Sequence, residues 1–401
     1  VVQLPNIAQA PLTLLALLRA GMTALPVPLA WRRSDLVAAL APVQPKAIVT
    51  IARFLDEWPA ETVCQAAAEL FSLSFPCAFG DNLPDGVVPL DGDLASLQAT
   101  SLPASGGTIA TFDAKSHGYF AARRNDPQWL AAGLTTLLEA HIETADTIAA
   151  AVPLHSLAGI GGAFVPWLLS GGTLQLLCDG FHAAAGSSKV RLVAPAAVVR
   201  ILGTQHRFAS CVAVHRSPRT LAFDFSACST SRLIDLVAIG EFALIASARA
   251  ELRRPMPPPL GSVAALYGSA GAPIVLETRI REGEIHLRGP MLPDLPATAD
   301  GFVATGWRGE SDGNGGLTVS DTPERVATVG GLRFGLDELQ SRLAQVAPGL
   351  QVFSVEDSVL GERLHIAGAD AASAAALEAA GHSRLVIEAA QRSALPRRAT
   401  G

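Results

Sequence analysis

From Ile148 to Cys178 the chain carries no Asp, Glu, Lys or Arg, a length of uncharged sequence that only a bilayer or a deep core accepts. Pro153, Gly159, Gly161, Gly162, Pro166, Gly171 and Gly172 cut it into pieces too short for a spanning helix. The pieces read as a buried strand, a helix and a second strand, because strands covered on both faces show continuous apolar runs instead of alternation. Such strands belong to an α/β architecture, mostly parallel sheets with helices on both faces. The first three hundred residues agree. The apolar spacing predicts helices at Pro11–Ala20, Ser34–Ala41, Pro59–Leu70 and Pro127–Ala140, and strands at Ala47–Ile51, Ile148–Val152, Thr173–Leu177 and Arg191–Val193. From Ile274 onward, extended segments separated by Gly and acidic turns predict a β subdomain. After Asp321 a strand pair around Arg325 to Phe334, a helix near Leu336–Val346, a strand at Gln351–Val355 and a helix near Ala371–Ala380 form a small α+β unit. The expected domains are therefore a large one of layered, mostly parallel sheets with a β subdomain at 1–320, and a small α+β one at 321–401, hinged at Ser320 to Glu324.

A chain of 401 residues, 49% hydrophobic, has apolar sequence enough for one large core and a satellite. The net charge of −6, with Lys and Arg scattered, supplies no basic surface for a polyphosphate backbone, so nucleic acid is not an expected partner. The five cysteines, Cys64, Cys77, Cys178, Cys211 and Cys228, are widely spaced with no Cys-x-x-Cys, and read as thiols of a reducing compartment. No basic n-region precedes an apolar run, and the expected location is cytoplasmic, with no transmembrane segment.

Several segments, taken in order, resemble the adenylate-forming superfamily of acyl-CoA synthetases, aryl-CoA ligases and peptide-synthetase adenylation domains. They are RAGMTALPVPLAWRRSDLVAALAPVQPKAIVT, then PLHSLAGI at 153–160, GEIHLRGP at 283–290, GFVATGW at 301–307, and VGGLRFGLDELQSRL opening the C-terminal domain. Each match alone is weak. Their common order over nearly the whole chain carries the resemblance. It implies the layered fold with a small C-terminal domain, ATP, Mg²⁺ and CoA as cofactors, and a small carboxylic acid or acyl-CoA as partner, with a homo-oligomer or partner synthetase left open.

Adenylation must manage charge: a glycine-rich loop wraps phosphates, a carboxylate holds Mg²⁺, and a lysine meets charge at the α-phosphate. The resemblance puts the phosphate loop in TIATFDAKSHGYFAARRN, with Thr111, Lys115 and Gly118 as ATP-binding candidates; only one glycine remains, and Asp113 would repel phosphate. A solvated turn before a helix is the plainer reading of these residues. Glu241 matches the Mg²⁺ carboxylate and is the catalytic and metal candidate, but an acid in the apolar run DLVAIGEFALI could equally be salt-bridged, with Arg249 or Arg232 as partner. Thr305 and Gly306 keep the ribose-binding motif while its aspartate position holds Trp307, whose indole donates and cannot accept. His155, Ser156 and Gly159 are acyl-pocket candidates, with a satisfied core histidine as the plain alternative. Gly330, Gly331 and Arg333 are the implied CoA-binding residues. The last lysine is Lys189, so the C-terminal adenylation lysine is missing and only Arg397 and Arg398 stand in the tail.

Two functions follow. One is ATP-dependent carboxylate adenylation with acyl transfer to CoA, in the manner of an acyl-CoA ligase of fatty acid metabolism; the missing lysine argues against fast adenylation. The other is a pseudo-ligase that binds acyl groups, acyl-CoA or a partner enzyme.

Overall fold

The protein is described by a computed structural model over residues 1–92, 106–178 and 189–394. A six-stranded sheet forms the centre, in the spatial order Ala243–Ala248, Leu233–Ile239, Ser210–His215, Val190–Pro195, Thr147–Ala150 and Thr173–Leu176. All neighbours run parallel except the first pair, which is an antiparallel hairpin. Every residue of Leu233–Ile239 is buried, as an apolar run covered on both faces requires.

The uncharged stretch supplies two strands of this sheet and the helical segment between them. Leu157–Gly159, a π-helical turn at Ile160–Phe164 and Val165–Ser170 follow one another. Gly161 and Gly162 allow the turn to lie on the sheet: a Cβ at Gly161 would stand 2.7 Å from Leu244 Cδ1, and one at Gly162 3.1 Å from Leu236 Cδ2. Gly171 closes the segment in the left-handed conformation typical of helix ends. Among the described residues no helix is long and apolar enough to cross a membrane.

A second parallel sheet, Ala47–Ile51, Phe75–Phe79 and Val88–Pro89, carries the helices Arg33–Leu40 and Pro59–Glu69. Five antiparallel strands from Gly261–Ala264 to Leu317–Asp321 form the β subdomain. The C-terminal unit is a four-stranded antiparallel sheet covered by Leu336–Val346, Ala371–Ala379 and Arg384–Ala394, with Leu339, Leu343, Leu377 and Val386 in a core of its own. Two of its elements, Gly361–Ala367 and Arg384–Ala394, were not expected from the sequence. Residues 395–401, with Arg397 and Arg398, lie outside the described residues.

One expectation fails. The segment read as an eroded phosphate loop, or as a solvated turn, is a β-hairpin of Thr108–Lys115 and Gly118–Arg124 that pairs in parallel with Thr23–Ala24. Ile109, Thr111 and Asp113 lie inside, with Ala110 and Ala114 buried as well; Ser116 and His117 form the corner, and Gly118 leaves it with φ near +126°.

The C-terminal domain docks on this hairpin and on the second sheet's helices. Glu338 N donates to Ser116 O at 2.9 Å, and Arg342 Nη1 reaches the fully buried Asp35 at 3.0 Å. Ser34 N donates to Gly381 O, and Arg33 Nη2 to Ala380 O, each at 2.9 Å.

Candidate functional site

A cavity of about 500 Å³ opens where the parallel strands end. Residues just beyond or at the carboxyl ends of four of the five parallel strands line it, among them Val152, Leu177, Pro195 and Arg216, as open α/β sheets favour for ligands. Leu4 and Leu29 close one side. Gly330, Gly331 and Leu360 of the C-terminal domain close another. The wall is mainly apolar; Arg216, His155, Ser156, Ser217, Thr220 and Thr328 bring polar side chains to it.

Glu241 stands next to this cavity in the tight turn 240–242 between the strands Leu233–Ile239 and Ala243–Ala248, and it is 1% exposed. Both oxygens of its carboxylate accept hydrogen bonds, Oε1 from Arg216 Nη2 at 2.6 Å and Oε2 from Leu157 N at 2.5 Å. Burial raises its pKa, Arg216 opposes that rise, and Asp113 adds to it. The ion-pair partner is thus Arg216. Arg249 is bonded instead to Asp235, and Arg232 to Glu139.

Asp113 belongs to the same network. Its Oδ2 accepts from Glu241 N at 2.8 Å, and its Oδ1 pairs with Arg333 Nη1 from the C-terminal domain. The aspartate that would have repelled phosphate is the counter-ion of an arginine. Arg333 lies over the ring of the buried Trp307 at 5.1 Å. Arg124 completes the cluster: it is fully buried and donates to the carbonyls of Met291, Glu241 and Phe242. Gly240 must be glycine here, because a Cβ would lie 2.3 Å from Asp113 Oδ2 and 2.7 Å from Arg333 Nη1.

No family model matches the chain, and no curated protein matches it by sequence. Solved structures do match. The amide bond synthetase McbA from Marinactinospora thermotolerans superposes with a TM-score of 0.70 at 16% identity, over 99% of this chain and 84% of that one. Mycobacterium smegmatis MbtA gives 0.65 at 16% identity, over 96% and 79%. A malonyl-CoA ligase solved with methylmalonyl-CoA and AMP gives 0.64 at 17%, over 96% and 88%. The chain has the adenylate-forming fold.

On that fold, the candidate residues separate into two groups. His155, Ser156, Gly330 and Gly331 meet at the cavity. Ser156 also caps the following helix, accepting from Gly159 N at 3.2 Å, and Gly159 fits under Pro153 O with no room for a side chain. Arg333 turns away from the cavity into the buried pair with Asp113. Thr111 is buried on the inner face of the hairpin, Lys115 places its ammonium over Phe120 at 4.9 Å, and Gly118 opens the hairpin's second strand. Thr305 donates to Ile285 O at 2.7 Å and Gly306 N to Glu284 Oε1 at 2.6 Å, so both serve the β subdomain's strand pairing. Arg216 and Asp113 were not selected from the sequence. Arg216 had one available signal, its place just past the apolar run Cys211–Val214.

Two histidines give this adenylate-forming scaffold an acid sensitivity. Burial, helped by Arg216, pushes His155 down to about 3. Burial, helped by Arg342, pushes His382 down to about 4, with Asp35 opposing. The folded state therefore binds these protons later than the unfolded chain, in which histidine titrates near 6.5. Their stability contribution is complete above pH 6.5 and is lost as pH falls toward the folded values, by up to about tenfold in the folding constant per pH unit for each ring. Urea midpoints measured at pH 7, 6 and 5 should fall steadily, and H155Q and H382Q should each flatten the decline. Equal slopes in wild type and both variants would remove this assignment.

Proposed function

We propose that this chain is a pseudo-ligase: it binds an apolar carboxylic acid or acyl group on an adenylate-forming scaffold without carrying out adenylation. One observation supports the reading above others. Glu241, the carboxylate matched to Mg²⁺, has both oxygens engaged, by Arg216 and by the Leu157 amide. Among the described residues, no group of three or more His, Cys, Asp or Glu side chains is arranged to hold a metal ion. With a hairpin in place of the phosphate loop and Trp307 at the ribose-binding carboxylate position, these residues do not fit Mg²⁺-ATP. The mostly apolar cavity remains, with Arg216 and a neutral His155 in its wall. Such a wall takes up an apolar chain or ring and leaves orientation to a few polar groups.

The active-ligase reading has one observation in its favour: the solved relatives include CoA ligases and an amide bond synthetase that share the fold over most of this chain. Pyrophosphate release from Mg²⁺-ATP, assayed with short, aromatic and long-chain acids and with and without CoA, separates the two. The expected result is no acid-dependent release and no ATP binding by calorimetry, alongside measurable binding of acids or acyl-CoA. Acid-dependent release that disappears in E241A would reverse the proposal and make Glu241 a catalytic group.

A further inference from the structure

Two neighbouring central strands hold a hydroxyl, an imidazole and a carboxylate in line. Ala213 of Ser210–His215 pairs with Asp235 of Leu233–Ile239, so His215, two residues on, lies on the same face of the sheet as that aspartate. The two side chains are buried, with His215 Nε2 2.8 Å from Asp235 Oδ1. Beyond His215 the chain folds into the short 3₁₀ turn Pro218–Ala222, which brings Thr220 Oγ1 back to 3.0 Å from His215 Nδ1. Of the three, Thr220 alone reaches the cavity wall, and it is 8% exposed.

Chemistry fixes the roles. Burial works against ionisation of Asp235, but the bonds and charges of His215 and Arg249 outweigh it and hold its pKa below the usual carboxylate value. As an anion it only accepts, so the proton of the neutral imidazole sits on Nε2, and Nδ1 is left as a base facing the threonine hydroxyl. The hydroxyl has one other acceptor within reach, Ser217 O at 2.9 Å. Arg249 holds the arrangement together. Its Nε donates to Asp235 Oδ2 at 2.7 Å, while Nη1 and Nη2 donate to Phe223 O and Leu221 O at 2.9 and 3.1 Å. One guanidinium thus ties the acid to the turn that carries the threonine, so the three groups are aligned before any ligand arrives. A hydroxyl at an apolar cavity, backed by a base that an acid orients, is the arrangement of nucleophilic acyl transfer.

We propose that Thr220, His215 and Asp235 give this chain an acyl hydrolase activity toward the ester or thioester of an apolar acid held in the cavity. The inference rests on reading the cavity as an acyl site and goes beyond it. Thr220 Oγ1 passes its proton to His215 Nδ1 and bonds to the carbonyl carbon; the C–O or C–S bond breaks, and the alcohol or thiol leaves with that proton. Water then attacks the acyl-threonine, its proton passes through His215 to the threonine oxygen, and the free acid departs. Arg216, in the same wall, opposes the negative charge that builds on the carbonyl oxygen. Thr220 and His215 are the catalytic residues, and Asp235 and Arg249 position them.

The test follows product release by the full chain from 4-nitrophenyl decanoate and from decanoyl-CoA, and maps the adduct of an alkyl fluorophosphonate by peptide mass spectrometry. Wild type should hydrolyse at least one substrate, and the adduct should sit on Thr220. T220V and H215Q should each lower the rate by about a hundredfold or more, the usual contribution of a positioned base. T220S keeps the hydroxyl without the methyl group and should hold at least the wild-type rate. A loss in T220S equal to that in T220V overturns the nucleophile, as does unchanged hydrolysis in T220V. The adduct is read on the wild type, so an adduct at another residue overturns the assignment even where a variant fails to fold. No hydrolysis and no adduct, with decanoate or decanoyl-CoA still bound in calorimetry, overturns the hydrolase and leaves the cavity reading intact. If neither ligand binds and nothing is hydrolysed, the acyl reading falls with it.

Discussion

Replacing Arg333 by methionine is expected to destabilise the protein by about 3–5 kcal/mol, the usual result of stranding one member of a buried ion pair. Asp113 would then stand 1% exposed without its ion-pair partner, hydrogen-bonded by the amides of Ala114 and Glu241. The loss should read as a drop of about 1 M or more in the urea midpoint at pH 7. The cause is separable from lost packing against Trp307. D113N/R333M removes both charges and should recover more than half of the loss, while D113N alone should cost more than the pair. A double variant as unstable as the sum of the singles would mean that the arginine acts through its stem against the indole, and the ion pair would lose its assigned role.

The second large effect is G335A. Gly335 carries ordinary φ, near −73°, so the constraint is space and not backbone freedom. A Cβ would lie 1.9 Å from Lys115 O and 2.9 Å from Ser116 O, both backbone atoms of the hairpin corner. Neither can give way without opening the hairpin, so the methyl must displace the C-terminal domain. Overpacking of this severity costs about 3 kcal/mol. That energy corresponds to about a hundredfold rise in the undocked population, because each 1.4 kcal/mol is tenfold. Limited proteolysis between Ser320 and Glu324 should accelerate accordingly, while far-UV circular dichroism stays close to wild type. Unchanged cleavage would show that the hairpin corner yields and that this contact does not fix the domain.

Much of the fold was legible because local signals and burial agreed. Asp126–Glu139 begins with Asn125 as a cap and Pro127 in the first turn, and Leu336–Val346 has the expected bounds. The uncharged stretch folded as a covered strand, helix and strand because its glycines and prolines fall where the chain turns. The hairpin at 108–124 was missed because its burial does not follow its apolar pattern: Thr111 and Asp113 are inside, and Ala110 and Ala114 are buried as well. The resemblance assigned that position to a loop, and Asp113 was read for what it would do to phosphate instead of for which face it occupies. Arg384–Ala394 was missed although Val386, Ile387, Ala389 and Ala390 mark an apolar face that packs on the C-terminal core.

The candidate site was harder to read for a different reason. Glu241 announced itself as an acid in an apolar run, and the expectation that it required a partner was sound. The partner depended on which strand end lay beside its turn, and that is decided by sheet order. Arg249 and Arg232 were nearer in sequence than Arg216, yet one reaches Asp235 and His215's network and the other the end of a distant helix. Side chains joined only by tertiary structure leave no spacing to recognise.

The pair of Asp113 and Arg333 is separated by 220 positions along the chain. During synthesis the hairpin emerges long before the arginine that neutralises it, since the amino-terminal part leaves the ribosome first. Until residue 333 has been made, the first three hundred residues carry a carboxylate whose burial is unfavourable, and closing so long a loop is slow. The large domain therefore gains this part of its stability only after the small domain's first strands have been made, later than its own central sheet.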